Sequence, residues 1–206
     1  MMNKLIKLMF IGCSIIAFNG YSQDVTKLNA AFISSYDFEA KGSYDLSIKS
    51  LEDVYDKTSY IVNLRLGWLN YANKNYDNSI KYYQIATALM PSSEEALWAL
   101  INPLVAKEKW NDVDKAYLAI IAIDPKNSTA HYQLGLNYYY RKNYTAAKKY
   151  FDVSLGLYPY DYNSVLMSGW NNYFLGNKED AKLLFNRILL MYPTDSSAKE
   201  GLGLIK

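Results

Sequence analysis

Four of the five prolines in the chain are spaced at a constant interval. Pro91, Pro125, Pro159 and Pro193 follow one another every 34 residues. Proline ends or kinks an α-helix because its ring removes one backbone hydrogen bond and clashes with the preceding turn. A constant period of this length, with apolar residues at helical spacing between the prolines, indicates a repeat protein made of short helical units. The sequence therefore predicts an all-α solenoid of helix-turn-helix repeats.

The residue types between the prolines also recur at fixed positions. The best-preserved unit has them in the order Leu134, Gly135, Tyr138, Ala147, Phe151 and Pro159. Two other units keep Gly67 and Gly169 at the glycine position, and the unit that ends at Pro125 is the most degenerate. This order resembles the W-x2-L-G-x2-Y, A-x3-F, P pattern of the tetratricopeptide repeat (TPR) family. The resemblance implies a right-handed superhelix of about five repeats with a capping helix at its C-terminal end.

In the register of this resemblance, the repeats are predicted at approximately residues 28–59, 60–93, 94–127, 128–161 and 162–195, followed by a capping helix at 196–206. The first repeat, with predicted helices at 24–41 and 44–56, lacks two residues and the terminal proline. Pro103 falls inside a predicted helix, where we expect a tolerated kink. Gly67, Gly135 and Gly169 are predicted to mark close approaches of paired helices, and Leu202-Gly203 repeats their register. No linker composition divides residues 23–206, so we predict one domain.

The first 22 residues differ in composition from the rest. Lys4 and Lys7 precede an apolar run that extends to Phe18, and the small residues Gly20 and Ser22 follow. A basic start, a short apolar run and small residues are typical of a secretory signal peptide. We predict that residues 1–22 are a signal peptide cleaved after Ser22, and that the protein is exported to the periplasm or cell envelope.

Cys13 is the only cysteine in the chain and offers an alternative. The segment Phe10-Ile11-Gly12-Cys13 loosely resembles a bacterial lipobox, in which the cysteine carries a lipid anchor. The apolar run continues past Cys13 to Phe18, whereas a lipobox cysteine should end it. We therefore prefer the signal peptide, and we expect membrane attachment only if Cys13 is lipidated.

Charge and residue content argue against several functional classes. The formal net charge is +2, and without a basic block there is no electrostatic footprint for nucleic acid. His131 is the sole histidine, and we interpret it as a packing residue of its repeat. No group of potential ligands has the spacing of a metal site, and no glycine-rich loop indicates a phosphate-containing cofactor. We predict no catalytic residues, no metal and no cofactor, and hence no enzyme.

The resemblance also implies a binding surface. In the family, positions 2, 5, 9 and 12 of each repeat point into the concave face of the superhelix. The groove residues predicted in this way are Tyr36, Leu64, Trp68, Tyr71, Trp98, Asn102, Tyr132, Leu136, Tyr139, Leu166, Trp170 and Tyr173. We expect about half of these rings to pack between helices instead. Trp110 opens the second helix of its repeat and is expected to lie away from the groove.

The predicted groove favours an apolar or stacking ligand, because Trp and Tyr are preferred anchors of recognition surfaces. TPR domains that hold the C-terminal carboxylate of chaperones carry Lys, Arg and Asn at the concave positions. Only Asn102 is of that type here, so we do not expect a carboxylate clamp. We predict a non-enzymatic scaffold that binds a protein or peptide segment. The alternative is a glycan-binding accessory protein, with Asn102, Asn163 and Asn171 beside rings that stack on sugars, and we rank it lower because so few polar side chains are available.

Overall fold

The computed structural model describes residues 25–205, which form eleven α-helices and no strand. In chain order the helices are α1 (Val25–Ala40), α2 (Tyr44–Glu52), α3 (Tyr60–Ala72), α4 (Tyr76–Leu89), α5 (Glu94–Ala106), α6 (Trp110–Ile123), α7 (Ser128–Tyr140), α8 (Tyr144–Leu157), α9 (Tyr162–Phe174), α10 (Lys178–Met191) and α11 (Ser196–Leu204). The predicted all-α fold is confirmed. The predicted signal peptide and Cys13 lie outside the described residues.

The helices stack in the order of the chain. Each helix packs against the next one, and α3–α5, α7–α9 and α9–α11 also contact each other. Such near-neighbour packing is the hallmark of a solenoid, because each unit buries its apolar face only against the units beside it. Three apolar clusters follow one another along the stack: an N-terminal cluster that includes Leu66, a middle cluster that includes Leu104 and a C-terminal cluster that includes Phe185.

The turns inside the helix pairs share one backbone feature. Each turn has one residue with φ between 54° and 80°, and these residues are Gly42, Lys74, Glu108, Lys142 and Gly176. The left-handed region commonly ends a helix, and glycine enters it without the steric cost that a side chain imposes. Because Lys and Glu accept the same conformation, the packing of the paired helices sets the turn more strongly than the residue type does.

Three glycines permit close contact between paired helices, as the sequence predicted. A Cβ added to Gly67, Gly135 or Gly169 would lie 2.6 Å, 2.7 Å or 2.9 Å from an aromatic carbon. The rings concerned are those of Tyr83, Phe151 and Phe185. Each ring lies against the opposite helix, in the space that a side chain at the glycine position would fill.

One predicted helix boundary was wrong. The second helix ends at Glu52 rather than at residue 56. There the Tyr55 hydroxyl donates to Asn63 Oδ1 at 2.9 Å, and Asn63 Nδ2 donates to the Lys57 and Ser59 carbonyls. This polar network replaces the last helical turn.

The capping helix uses a different glycine from the one its register indicates. Gly201 is buried against the Phe185 ring, whereas a Cβ on Gly203 would meet no atom within 4 Å. The described chain has no helix after α11 for Gly203 to approach, so that position loses its packing role.

Pro103 lies inside α5, which continues through it to Ala106. No helix among residues 25–205 has the length and apolar character needed to cross a membrane.

Candidate functional site

A cavity of about 390 Å³ lies between α3, α5, α6 and α7 and brings together three of the predicted groove residues. Tyr71 comes from α3, and Trp98 and Asn102 stand one turn apart on α5. The remaining lining residues are Ile101, Val105, Ala106, Tyr117, Thr129 and Gln133. We call this space the α3–α7 cavity. Its walls combine aromatic and aliphatic side chains with two amides and three hydroxyls, and such a mixture of mainly apolar walls and a few polar groups is typical of a ligand site.

Trp98 is held in a fixed orientation. Its ring packs edge-on against Tyr117, with centroids 5.7 Å apart and planes at 68°. Its Nε1–H donates to Glu94 Oε2 at 3.3 Å, and Asn127 Nδ2 donates to the same oxygen at 2.9 Å. Trp98 is therefore partly a core residue and partly a cavity wall, since it also packs against the middle apolar cluster.

Two further cavities lie along α7 and meet the first at Gln133, which lines all three. One, of about 460 Å³, is lined by Leu136 with Trp110, Gln133, Asn137, Tyr140 and Arg141. The other, of about 750 Å³, is lined by Tyr132, Tyr158, Tyr160, Asp161 and Asn163 among others. Tyr132 and Leu136 thus face different spaces. The expectation that Trp110 lies away from these residues was wrong, because Trp110 shares a cavity with Leu136.

Tyr36 and Trp68 lie near the N-terminal end of the described chain and are exposed. The Trp68 indole donates to Glu39 Oε1 at 2.6 Å, and the Arg65 guanidinium donates to Glu39 Oε2 at 2.5 Å. The same guanidinium carbon lies 3.9 Å from the centre of the Tyr36 ring. Burial acts to raise the pKa of Glu39, but the hydrogen bonds from Trp68 and Arg65 outweigh it and lower the pKa. The Glu39 carboxylate is therefore charged at neutral pH, and it holds the Trp68 ring in place by accepting its indole hydrogen bond.

Most of the remaining predicted groove residues pack against the apolar clusters of the protein. Leu64 contacts the middle apolar cluster, and the C-terminal cluster includes Leu166, Trp170 and Tyr173 at its edge. Trp170 packs on Phe185 at 5.1 Å and donates its indole proton to Ser197 Oγ at 2.9 Å. The structure does not bring these side chains into the α3–α7 cavity.

Tyr132 and Tyr139 have their rings against Phe151. Burial, followed by neighbouring tyrosine hydroxyls, raises the pKa of each to about 12. Both hydroxyls therefore stay protonated and able to donate hydrogen bonds at neutral pH.

Sequence reasoning missed Gln133 and Tyr140, which line cavities without standing at the concave positions of the repeat. Gln133, Leu136, Asn137 and Tyr140 stand at positions i, i+3, i+4 and i+7, so they form one face of α7. That spacing is visible in the sequence and could have identified these residues.

His131, predicted to pack, is buried, and its Nε2 lies 3.1 Å from the Pro125 carbonyl. No group of metal-binding side chains is present within residues 25–205.

Two models of the tetratricopeptide repeat match the chain. One matches residues 35–94, and the other matches residues 129–159 and 164–195. Together these segments make up more than half of the sequence. Comparison with curated proteins finds no match.

Solved structures include several similar folds. A tetratricopeptide repeat protein from Parabacteroides merdae aligns with a TM-score of 0.69 and 20% identity, over 85% of this chain and 71% of that one. The MamA protein aligns with a TM-score of 0.69 and 19% identity, over 88% and 100% of the two chains. MamA from Desulfovibrio magneticus gives a TM-score of 0.61 at 18% identity, over 82% and 98%. At these identities the likeness concerns the fold alone.

Proposed function

Because the chain belongs to the tetratricopeptide repeat family, we propose that it is a non-enzymatic interaction scaffold that binds a peptide segment of a partner protein in the α3–α7 cavity. Family membership confirms the resemblance predicted from the prolines and glycines, and it supports a protein–protein interaction scaffold. The partner segment is extended or helical, as in the common modes of peptide recognition by grooves.

One observation carries the proposal: Tyr71, Trp98 and Asn102 line a single cavity. Tyr71 and Trp98 supply rigid aromatic area, which anchors apolar side chains at a small entropic cost. Asn102 and Gln133 supply amides that can both donate to and accept from a peptide backbone. No charged side chain lines this cavity, so an apolar segment fits it better than an acidic or basic one.

A second candidate, glycan binding, is favoured by the 750 Å³ cavity. Tyr158 and Tyr160 are exposed there, and Asp161 and Asn163 lie beside them. Rings next to carboxylate and amide groups suit sugar hydroxyls. We rank this function second because Asp161 Oδ2 already accepts from the Ser164 backbone N–H at 2.8 Å as the cap of α9.

The experiment is a random peptide library displayed on phage and a glycan array, both probed with the purified protein. We expect enrichment of peptides with apolar or aromatic residues and no reproducible glycan binding. Glycan binding without peptide enrichment would replace the first function with the second. Failure to enrich any peptide over an unrelated helical protein would contradict the scaffold proposal.

The proposal also places the scaffold in the cell envelope. It rests on the basic start, apolar run and small residues of positions 1–22. Intact-mass measurement on protein from its natural source should give a chain that begins at Gln23. A lipid mass on Cys13 would support the membrane-anchored alternative instead.

A further inference from the structure

The aromatic residues at two successive repeat junctions are arranged differently. Tyr144 opens α8 and Phe174 ends α9, and their rings stack at 4.9 Å with planes 10° apart. One repeat earlier, 34 residues back, the equivalent residues are Trp110 and Tyr140. In the described chain no ring contact joins this earlier pair, and the cavity of about 460 Å³ lies between them. We call the junction between α8 and α9, where the two rings stack, the closed junction. We call the earlier junction between α6 and α7, where the rings are not in contact, the open junction.

Hydrogen bonds account for the difference. At the closed junction Asn171 Nδ2 donates to the Tyr144 carbonyl at 3.0 Å, which holds α9 against the start of α8. At the open junction the equivalent Asn137 donates instead to Asp114 Oδ1 at 3.1 Å. The Arg141 guanidinium also donates a hydrogen bond to Asp114, from Nη2 to Oδ2 at 2.5 Å. The position of Asp114 is occupied by Lys148 one repeat later, so the closed junction has no such acceptor.

A third ring is also missing at the open junction. Tyr139 packs edge-on against both stacked rings, at 5.5 Å from Tyr144 and 5.9 Å from Phe174. Its equivalent one repeat earlier is Val105, which has no ring. Trp110 is 42% exposed and Tyr140 is 73% exposed. The open junction therefore lacks aromatic surface that the closed junction supplies from within the protein.

We propose that the space between Trp110 and Tyr140, with Leu136 and Gln133 beside them, is an aromatic slot that takes a Phe, Tyr or Trp side chain of the bound peptide. This inference rests on the proposed function and names the residue type that the peptide must carry. The closed junction shows which chemistry fits, because there a third ring of the protein, that of Tyr139, packs against the two equivalent rings. The slot and the α3–α7 cavity share Gln133 as a lining residue, so a peptide that follows α7 can reach both.

Charge also selects an uncharged ring. Arg141 is the only charged residue that lines the slot, and its guanidinium is already paired with Asp114 and lies 4.8 Å from the centre of the Tyr138 ring. The slot thus has no unbalanced charge to attract an acidic or basic side chain. An aromatic ring in the slot gains contact with the aromatic side chains of Trp110 and Tyr140, whereas an aliphatic side chain gains less.

The slot can be tested without knowing the partner, using N-acetylphenylalaninamide as the probe. In a nitrogen-15 NMR spectrum each tryptophan gives one indole signal, and Trp110→Phe identifies the signal of Trp110. We expect a saturable shift of that signal, and binding about fivefold weaker for N-acetylleucinamide, the value for a ring preference of this kind. A shift that does not saturate, or equal affinity for the two amides, would overturn the inference.

Tyr140→Ala removes one wall of the slot and should weaken probe binding by a similar factor. Tyr160→Ala is the matched control, because Tyr160 is also 73% exposed and lines a different cavity. The indole signals of Trp68, Trp98 and Trp170 report whether each variant remains folded. Equal probe binding by Tyr140→Ala and the wild type would contradict the slot.

Failure of the slot and failure of the proposed function give different results. Asn102→Trp fills the α3–α7 cavity but leaves the slot residues unchanged, so it should block selected peptides and still bind the probe. If the probe binds while no peptide depends on Asn102, the proposed function fails and the ring-binding slot stands. If peptides depend on Asn102 but replacing their aromatic residue by Leu has no effect, the slot proposal fails.

Discussion

At the scale of single residues, two of the predicted groove tryptophans have different roles. Trp68 is 44% exposed and has one polar contact, to Glu39. Trp170 packs on Phe185 and Tyr173, and its indole proton is bound by Ser197. The two residues occupy equivalent positions in their repeats. The difference arises from the side chains around them, because Trp170 meets two rings of its own repeat and Ser197 of α11, whereas the polar contact of Trp68 is with Glu39 of the preceding repeat.

Truncating these two tryptophans should therefore give different losses of stability. We expect Trp170→Ala to cost about 3 kcal/mol of unfolding free energy, the lower end of the range for truncating a large aromatic side chain, because Trp170 is partly buried at the edge of its cluster. Trp68→Ala should cost about 1 kcal/mol, the value of one hydrogen bond at a partly exposed site. Urea unfolding followed by circular dichroism measures both. Equal losses would show that Trp68 is as much a core residue as Trp170.

Glu39 gives a pH dependence of stability. Its pKa lies below the ordinary value of 4.5 because hydrogen bonds from Trp68 and Arg65 outweigh the effect of burial. A carboxyl group with a depressed pKa in the folded state stabilises the fold above its unfolded pKa, and this contribution disappears as the pH falls through the folded value. The stability advantage of wild type over Glu39→Gln should therefore be constant near neutral pH and shrink below about pH 4.5.

The measurement is the thermal midpoint of both proteins across that range. Other carboxylates are common to the two proteins, so their effect cancels in the difference. A difference that does not change with pH would contradict the assigned role of Glu39.

At the scale of helices, the paired glycine and ring set the distance between the two helices of a repeat. Gly135 on α7 leaves 2.7 Å between an added Cβ and Phe151 on α8, so alanine there would force the ring aside. Gly156 is also helical, near the end of α8, but an added Cβ would meet no atom within 4 Å.

These two glycines make a matched pair of substitutions. Gly135→Ala should destabilise the protein by about 1–3 kcal/mol, the usual cost of overpacking a core. Gly156→Ala should stabilise it by about 0.4–1 kcal/mol, because alanine has less conformational freedom to lose on folding. Chemical denaturation of both variants measures the signs. A stabilising Gly135→Ala would show that α7 and α8 can separate without cost.

The sequence predicted the fold far better than the candidate site. The spacing of the prolines and the recurrence of Gly67, Gly135 and Gly169 depend on backbone sterics, which are the same in every repeat. The site depends on which neighbour each side chain meets, and that changes from one junction to the next. Asp114 shows this well, because one carboxylate diverts Asn137 and Arg141 and keeps Trp110 apart from Tyr140. No periodic pattern reveals such a contact.

At the scale of the whole molecule, stability should be local, because each repeat contacts only its neighbours. The helix α11 covers Phe185 through Gly201 and packs against α9 and α10. Removal of residues 196–206 should therefore expose the C-terminal cluster and leave the N-terminal one unchanged.

Hydrogen exchange measured by mass spectrometry tests this expectation. We expect protection to fall in α9 and α10 of the truncated protein and to remain unchanged in α1 to α4. A uniform loss of protection along the chain would mean that the repeats unfold as one cooperative unit.

The central claim is that a peptide occupies the α3–α7 cavity, and blocking that cavity tests it most directly. Asn102 is exposed on α5, so Asn102→Trp adds a large ring to the cavity without disturbing the core. The control is Leu190→Ala, at a residue of α10 that is 85% exposed and lines none of the three cavities.

The measurement is the dissociation constant of a library-selected peptide for wild type, Asn102→Trp and Leu190→Ala, together with the unfolding midpoint of each protein. We predict binding at least about tenfold weaker for Asn102→Trp, which corresponds to about 1.4 kcal/mol. Leu190→Ala should bind like the wild type, and all three proteins should have similar midpoints. A folded Asn102→Trp variant that binds the peptide as tightly as the wild type would contradict the account.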